Sequence, residues 1–180
     1  MSDSMEKGLQ HRLISGWISD FSSVPRLEPW PSITLDNQLV SDLYQAFAYA
    51  QRGQYTGVIL WGLLCGRSWA PHLPDTVTAD RLRQVREIID VARRCGLQVL
   101  VGLGVYSWGF DQIVAEHPEL DGGMARVMCG QRAESDAWME RVVDFVMAEC
   151  DPDGLSLQSA DQGRCPCDAC QEMDSLSYHA

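Results

Sequence analysis

Lysine is almost missing from this chain: Lys7 is the only one in 180 residues. No lysine therefore stands at the end of a predicted strand, which puts Schiff-base chemistry of the aldolase or isomerase kind out of reach. Basic residues are scarce altogether, 14 against 25 acidic ones, for a net charge of −11. Such a surface repels phosphate backbones and anionic lipid over most of its area, so neither nucleic acid nor a membrane is expected as a partner. No run approaches the ~18 apolar residues of a membrane span, and MSDSMEKGLQHRL has neither an apolar core nor a small-residue cleavage site. A cytoplasmic location is the expectation. Also lacking is the glycine-rich phosphate turn that a nucleotide-binding open sheet carries after its first strand; GLGVY at 102–106 falls inside a strand and has no third glycine.

What is present is an ordinary globular composition, 46% apolar and 22% charged, enough for one core and one domain over 1–180. RLISGWISDF (12–21) reads as a first strand. From a cap at Thr34, the apolar positions Leu35, Leu39, Leu43, Phe47 and Ala50 recur at steps of three and four, a helix stopped by Gly53. YTGVILWGLL then reads as a buried strand, ADRLRQVREIIDVARRCG as a helix, LQVLVGLGVY as a strand, SDAWMERVVDFVMAEC as a helix capped by Ser135, and GLSLQSAD as a strand. Strands apolar on both faces, alternating with helices, predict a parallel sheet covered by helices: an α/β protein. Polar and aromatic residues gather after the strands, which favours a (β/α)8 barrel over an open sheet. Four β/α units are about half of a barrel that typically takes ~250 residues. The expectation is the N-terminal half of a TIM-type barrel, truncated at the C-terminus, which associates as a homo-oligomer or with a missing C-terminal half.

In a parallel barrel the strand-end groups share one rim. Here they are Trp17 and Asp20 after the first strand, Arg67, Trp69 and His72 after the second, Tyr106 and Trp108 after the third, and Gln158, Asp161 and Arg164 after the fourth. Indole faces stack on the C–H faces of a sugar while Arg and carboxylates bond its hydroxyls, so the rim suits a carbohydrate. Trp61, in mid-strand, is expected to plug the barrel. Glycoside hydrolysis needs two carboxyls ~5–9 Å apart. Asp161 is the first candidate, with Asp20 and Asp111 as alternatives that could equally cap turns.

Seven cysteines are present. Cys65, Cys95, Cys129 and Cys150 are isolated in apolar or helical settings, the usual place of reduced, buried thiols. Cys165, Cys167 and Cys170 form CPCDAC, with spacing fit to chelate a soft ion such as structural zinc. Cys129, His179 or Asp168 could supply a fourth ligand; the alternative is three free thiols packed under a loop, or one pair able to oxidise.

The stretch LSLQSADQGRCPCDAC, a strand, an Asp with glycine close by and then C-x-C-x-x-C, resembles the segment after the fourth strand in barrels of the glycoside-hydrolase superfamily, particularly glucuronidase-like and endo-hexosaminidase-like members. The resemblance covers about twenty residues. It implies a general acid near Gln158 to Asp161 and a second carboxylate from a later strand, with no cofactor for catalysis. Gln158 stands where some relatives carry Glu, and Gln cannot donate a proton as an acid. The expected function is a carbohydrate-active barrel acting on or binding a sugar at its strand ends. The alternative is a non-enzymatic zinc-binding or scaffold protein built around the cysteine cluster.

Overall fold

The computed structural model describes residues 10–18, 35–64, 68–106, 109–123, 127–159, 165–174 and 177. Its strands are β1 (Leu13–Trp17), β2 (Gly57–Trp61), β3 (Gln98–Val105) and β4 (Gly154–Ser159). They form one sheet in the order β1-β2-β3-β4, with every neighbouring pair parallel. Parallel neighbours require a crossover between them, and α1 (Asn37–Arg52), α2 (Ala79–Arg94) and α4 (Ala133–Cys150) supply it. The class is α/β: four consecutive β/α units of a (β/α)8 barrel. None of the described helices is long and apolar enough to cross a membrane.

Helix starts follow local capping chemistry more closely than the sequence reading did. The cap of α1 is Asp36, whose Oδ1 accepts the Leu39 N–H at 2.8 Å; Thr34 lies outside the described residues. Thr78 caps α2 in the same manner. Helix α4 begins at Ala133, so Ser135 sits within its first turn, and its buried Oγ has no hydrogen-bond partner among the described residues. Gly96 ends α2 at φ +74, a left-handed conformation that costs little only without a Cβ. Two short helices fell outside the periodic pattern, α3 (Asp111–Glu116) in the loop after β3 and α5 (Asp168–Glu172) beyond β4.

The sheet has two unlike faces. Val58 and Leu60 of β2 and Val99, Val101 and Leu103 of β3 pack into the main core with Val85, Ile88 and Ile89 of α2 and Val142 and Val146 of α4. Fully burying one such side chain contributes about 1.5–3 kcal/mol, which makes this helix-covered face the main source of stability. Alternation along a strand sends the intervening residues to the other face, the one a barrel encloses. There Trp61 lies against Gly102, where an added Cβ would come within 2.1 Å of its ring, and its Nε1–H donates to Ser15 Oγ at 3.2 Å. The expected plug is thus Trp61, and a glycine across the sheet makes the room for it. The edge strands leave Leu13, Ile14 and Leu157 exposed, Leu157 at 58%.

Candidate functional site

Of the rim residues read from the sequence, Asp20, Arg67, Trp108, Asp161 and Arg164 lie outside the described residues. Trp17 is the last residue of β1, in register with Trp61. Gln158 pairs in register with Gly104, and Ser156 with Gly102. These two polar side chains therefore alternate onto the enclosed face, with Gln158 nearer the C-terminal end of β4. The position where the resemblance expects an acid thus carries an inward-facing amide.

The remaining candidates have partners of their own. Trp69 is 4% exposed, its ring meeting Phe145 edge-on at 6.5 Å, and it walls a small pocket with Gly62, Leu63 and Gly109. His72 is exposed, its Nδ1 3.2 Å from Asp75 Oδ2. Tyr106 leaves β3 with a positive φ of 57°. Its hydroxyl donates to Asp136 in the first turn of α4, and burial, then Asp136, pushes its pKa up.

Several residues that organise the rim escaped the sequence reading. Buried Ser68 accepts the Gln112 N–H at 3.1 Å and donates toward Gly109 O at 3.2 Å, so the loop after β2 caps the short helix after β3. Arg81 reaches back from α2 to the carbonyls of Leu63 at 2.8 Å and Gly62 at 3.1 Å. Asp111, weighed from the sequence as an alternative carboxylate, opens α3 with its Oδ1 buried and without a hydrogen-bond partner among the described residues. Residues that bond the backbone across loops leave no periodic trace in a sequence.

The second constellation is the cysteine corner. Cys129 Sγ lies 3.7 Å from Cys167 Sγ and 3.8 Å from Cys170 Sγ, and the ligand atoms of Cys129, Cys165, Cys167 and Cys170 all fall within 4.8 Å of one another. These separations are far beyond the ~2.05 Å of a disulfide. Four thiolates ~2.3 Å from one ion, at the corners of a tetrahedron, stand about 3.8 Å apart, so the set fits a single four-coordinate metal ion. An iron–sulfur cluster would need room for its own irons and sulfides between the thiolates, and a spread of 4.8 Å leaves none. Cys129, Cys165 and Cys170 are buried and Cys167 half-buried. Burial pushes the Cys165 thiol up to about 11 and raises Cys170 as well. Cys167 is held down to about 7, chiefly by the backbone N–H of Cys170. By contrast Cys150, at the end of α4, is pushed up to about 12 by burial and takes no part in the cluster. Of the fourth ligands weighed from the sequence, Cys129 is at the site; His179 lies outside the described residues.

No family model matches the chain, and no curated protein matches it in sequence. Its likenesses are to solved structures. One is the GH20 beta-N-acetylhexosaminidase of Streptomyces coelicolor, with TM-score 0.56 and 13% identity over 85% of this chain and 33% of that one. A mutant beta-hexosaminidase of Streptomyces plicatus, in complex with its product GlcNAc, has TM-score 0.54 and 13% identity over 81% of this chain and 32% of that one. A noncanonic maltogenic alpha-amylase of Thermotoga neapolitana gives TM-score 0.54 and 13% identity over 81% and 38%. The chain spans about a third of the length of these neighbours. At such identity the likeness shows the fold alone, part of a (β/α) barrel.

Proposed function

We propose that this chain is part of a glycoside-hydrolase-type barrel that acts on or binds a sugar at the C-terminal ends of its strands. The observation that carries the reading is the enclosed face of β3 and β4. Gln158 stands there in register with Gly104, above an apolar floor made by Trp61 against Gly102. Asp161, two residues beyond β4, is the catalytic or substrate-orienting carboxylate. Arg67, Trp108 and Arg164, with Trp17 and Asp20, complete the rim, and a second half of the barrel supplies the other carboxylate. The GlcNAc held by one structural neighbour makes N-acetylhexosamines the first sugars to test.

The test has two arms. A thermal-shift panel of N-acetylglucosamine, glucose, glucuronic acid and maltose on this chain is expected to single out one sugar, and a uniformly flat panel would count against binding. Hydrolysis of aryl glycosides by a longer form of the protein is expected to fall at least a hundredfold with Asp161→Asn, in the range general acid–base catalysis contributes. Unchanged rates would remove Asp161 from the mechanism.

The convergence of four thiols favours a second reading, a non-enzymatic zinc-binding or scaffold protein. Zinc is the ion the all-thiolate, single-metal set suits best. Four protein ligands leave no open position for a substrate, so the metal's role is structural, and the zinc site by itself is compatible with either reading.

A further inference from the structure

We infer that a zinc ion held by Cys129, Cys165, Cys167 and Cys170 staples the loop after β3 to the loop after β4, so that metal occupancy holds this corner of the strand-end rim. The inference rests on the reading that the four thiols hold zinc, and extends it to what the site does.

The ligands come from two segments far apart in sequence, one following β3 and the other following β4. Cys129 follows an antiparallel bridge between Asp121 and Met128. The Met128 N–H donates to Tyr106 O at 2.8 Å, and the Cys129 N–H to Leu120 O at 2.8 Å, so the ligand is fastened to the end of β3. Cys165, Cys167 and Cys170 belong to the segment beyond β4, closed on itself by Gln171 Nε2 donating to Cys165 O at 2.8 Å. The two loops also touch where a Cβ on Gly123 would lie 2.9 Å from Pro166 Cγ, so they are already seated against each other.

What fills the junction is unusual. Among the described residues, the buried cluster there consists of Cys129, Cys165 and Cys170, with Cys167 packed against it, separate from the main core. Among the described residues this cluster holds no Leu, Ile, Val or Phe, and thiols offer little apolar area to offset the entropy of ordering two loops. Zinc binding to thiolates supplies that free energy directly, because the site exists only when both loops are in place. On binding, the thiols release their protons to solvent and the sulfurs donate electron pairs to the ion; no electron is transferred.

The test uses the full chain and zinc itself. Protein purified under reducing conditions is expected to carry an equimolar amount of zinc, and cobalt exchanged into it to show the thiolate charge-transfer and d–d bands of a tetrahedral site. Chelation is expected to speed amide hydrogen exchange around Cys129 and around Cys165–Cys170 by roughly tenfold or more, while β2 and β3 stay protected. Cys129→Ser is expected to lose the zinc and to show the same local exchange without chelator. Stoichiometric zinc with no change in exchange on chelation, or zinc retained at full affinity by Cys129→Ser, would overturn the staple while leaving a metal site. Protein that takes up no zinc, or holds iron instead, would overturn the zinc reading beneath it. Chelation of the unaltered protein covers the case in which the variant does not fold.

Discussion

The helix-covered core and the cysteine corner both hold fully buried residues, yet they are assembled from different materials. Ile88, Val99 and Val142 are 0% exposed, and so are Cys165 and Cys170. Around the first three, aliphatic side chains from α2, α4, β2 and β3 interlock; around the second two, the described cluster is sulfur. Burial by itself therefore does not say what holds a region together. In one case removal of apolar surface from water suffices, while in the other the groups are polarisable, ionisable and spaced for an ion.

The sharpest way to break the comparison is to cut one member of each region. Ile88→Ala is expected to lower global stability by about 2–5 kcal/mol in urea denaturation, equally with and without chelator. Cys129→Val keeps the volume apolar; it is expected to abolish zinc retention and chelator sensitivity. A corner that stayed chelator-sensitive would show that Cys129 is not needed. Next in size is Gly102→Ala, whose Cβ would collide with the Trp61 ring and is expected to cost about 1–3 kcal/mol. Trp61→Leu in the same chain should recover part of that, and strict additivity in a double-mutant cycle would refute the contact.

At the N-terminal ends of β3 and β4, the opposite end of the strands from the cysteine corner, lies a polar clamp. Asp153 Oδ2 accepts the Val99 N–H at 2.7 Å, and Oδ1 faces Arg93 Nη2 at 3.2 Å. Burial acts to raise the Asp153 pKa, but the Val99 N–H and Arg93 outweigh it and hold the carboxyl below its ordinary 3.8. A lowered folded-state pKa stabilises fully above the unfolded value and is lost as pH falls through the folded one. Asp153→Asn is thus expected to cost about 1–2 kcal/mol at neutral pH, with the difference from the unaltered protein shrinking below about pH 4. A difference that stayed constant down to pH 2 would exclude the carboxylate's charge as the cause. The smallest effect belongs to the sheet edge: Leu157→Ser, at an exposed site, is expected to change the stability of this chain by no more than about 0.5 kcal/mol. A larger loss would mean that the edge of β4 is covered in solution.

Much of this fold was legible because its signals are local. Leu39, Leu43, Phe47, Val85, Ile88 and Ile89 recur at helical spacing, VILW and VLVGLGV are continuous apolar runs, and their alternation implies crossovers and a parallel sheet. The cap at Ser135 misled because a serine ahead of an apolar run looks the same whether it caps the helix or, as here, sits inside the first turn. At the candidate site, CPCDAC announced three clustered thiols. The sequence could not choose Cys129 over His179 or Asp168, since a separation of 38 residues carries no distance. Trp69 and Tyr106 read alike, as aromatics after strands, but one became a core wall and the other is tied to Asp136.

By itself, then, the sequence determined the periodicities: which segments are strand or helix, their order, and hence a parallel α/β sheet of barrel type, because those follow from the burial pattern of neighbouring residues. The tertiary structure decided the coincidences: Trp61 over Gly102, Gln158 on the enclosed face beside Gly104, and Cys129 brought to the other three thiols. These depend on how crossovers set strand register and how loops pack, and register and loop packing are properties of the assembled sheet, not of any stretch of chain.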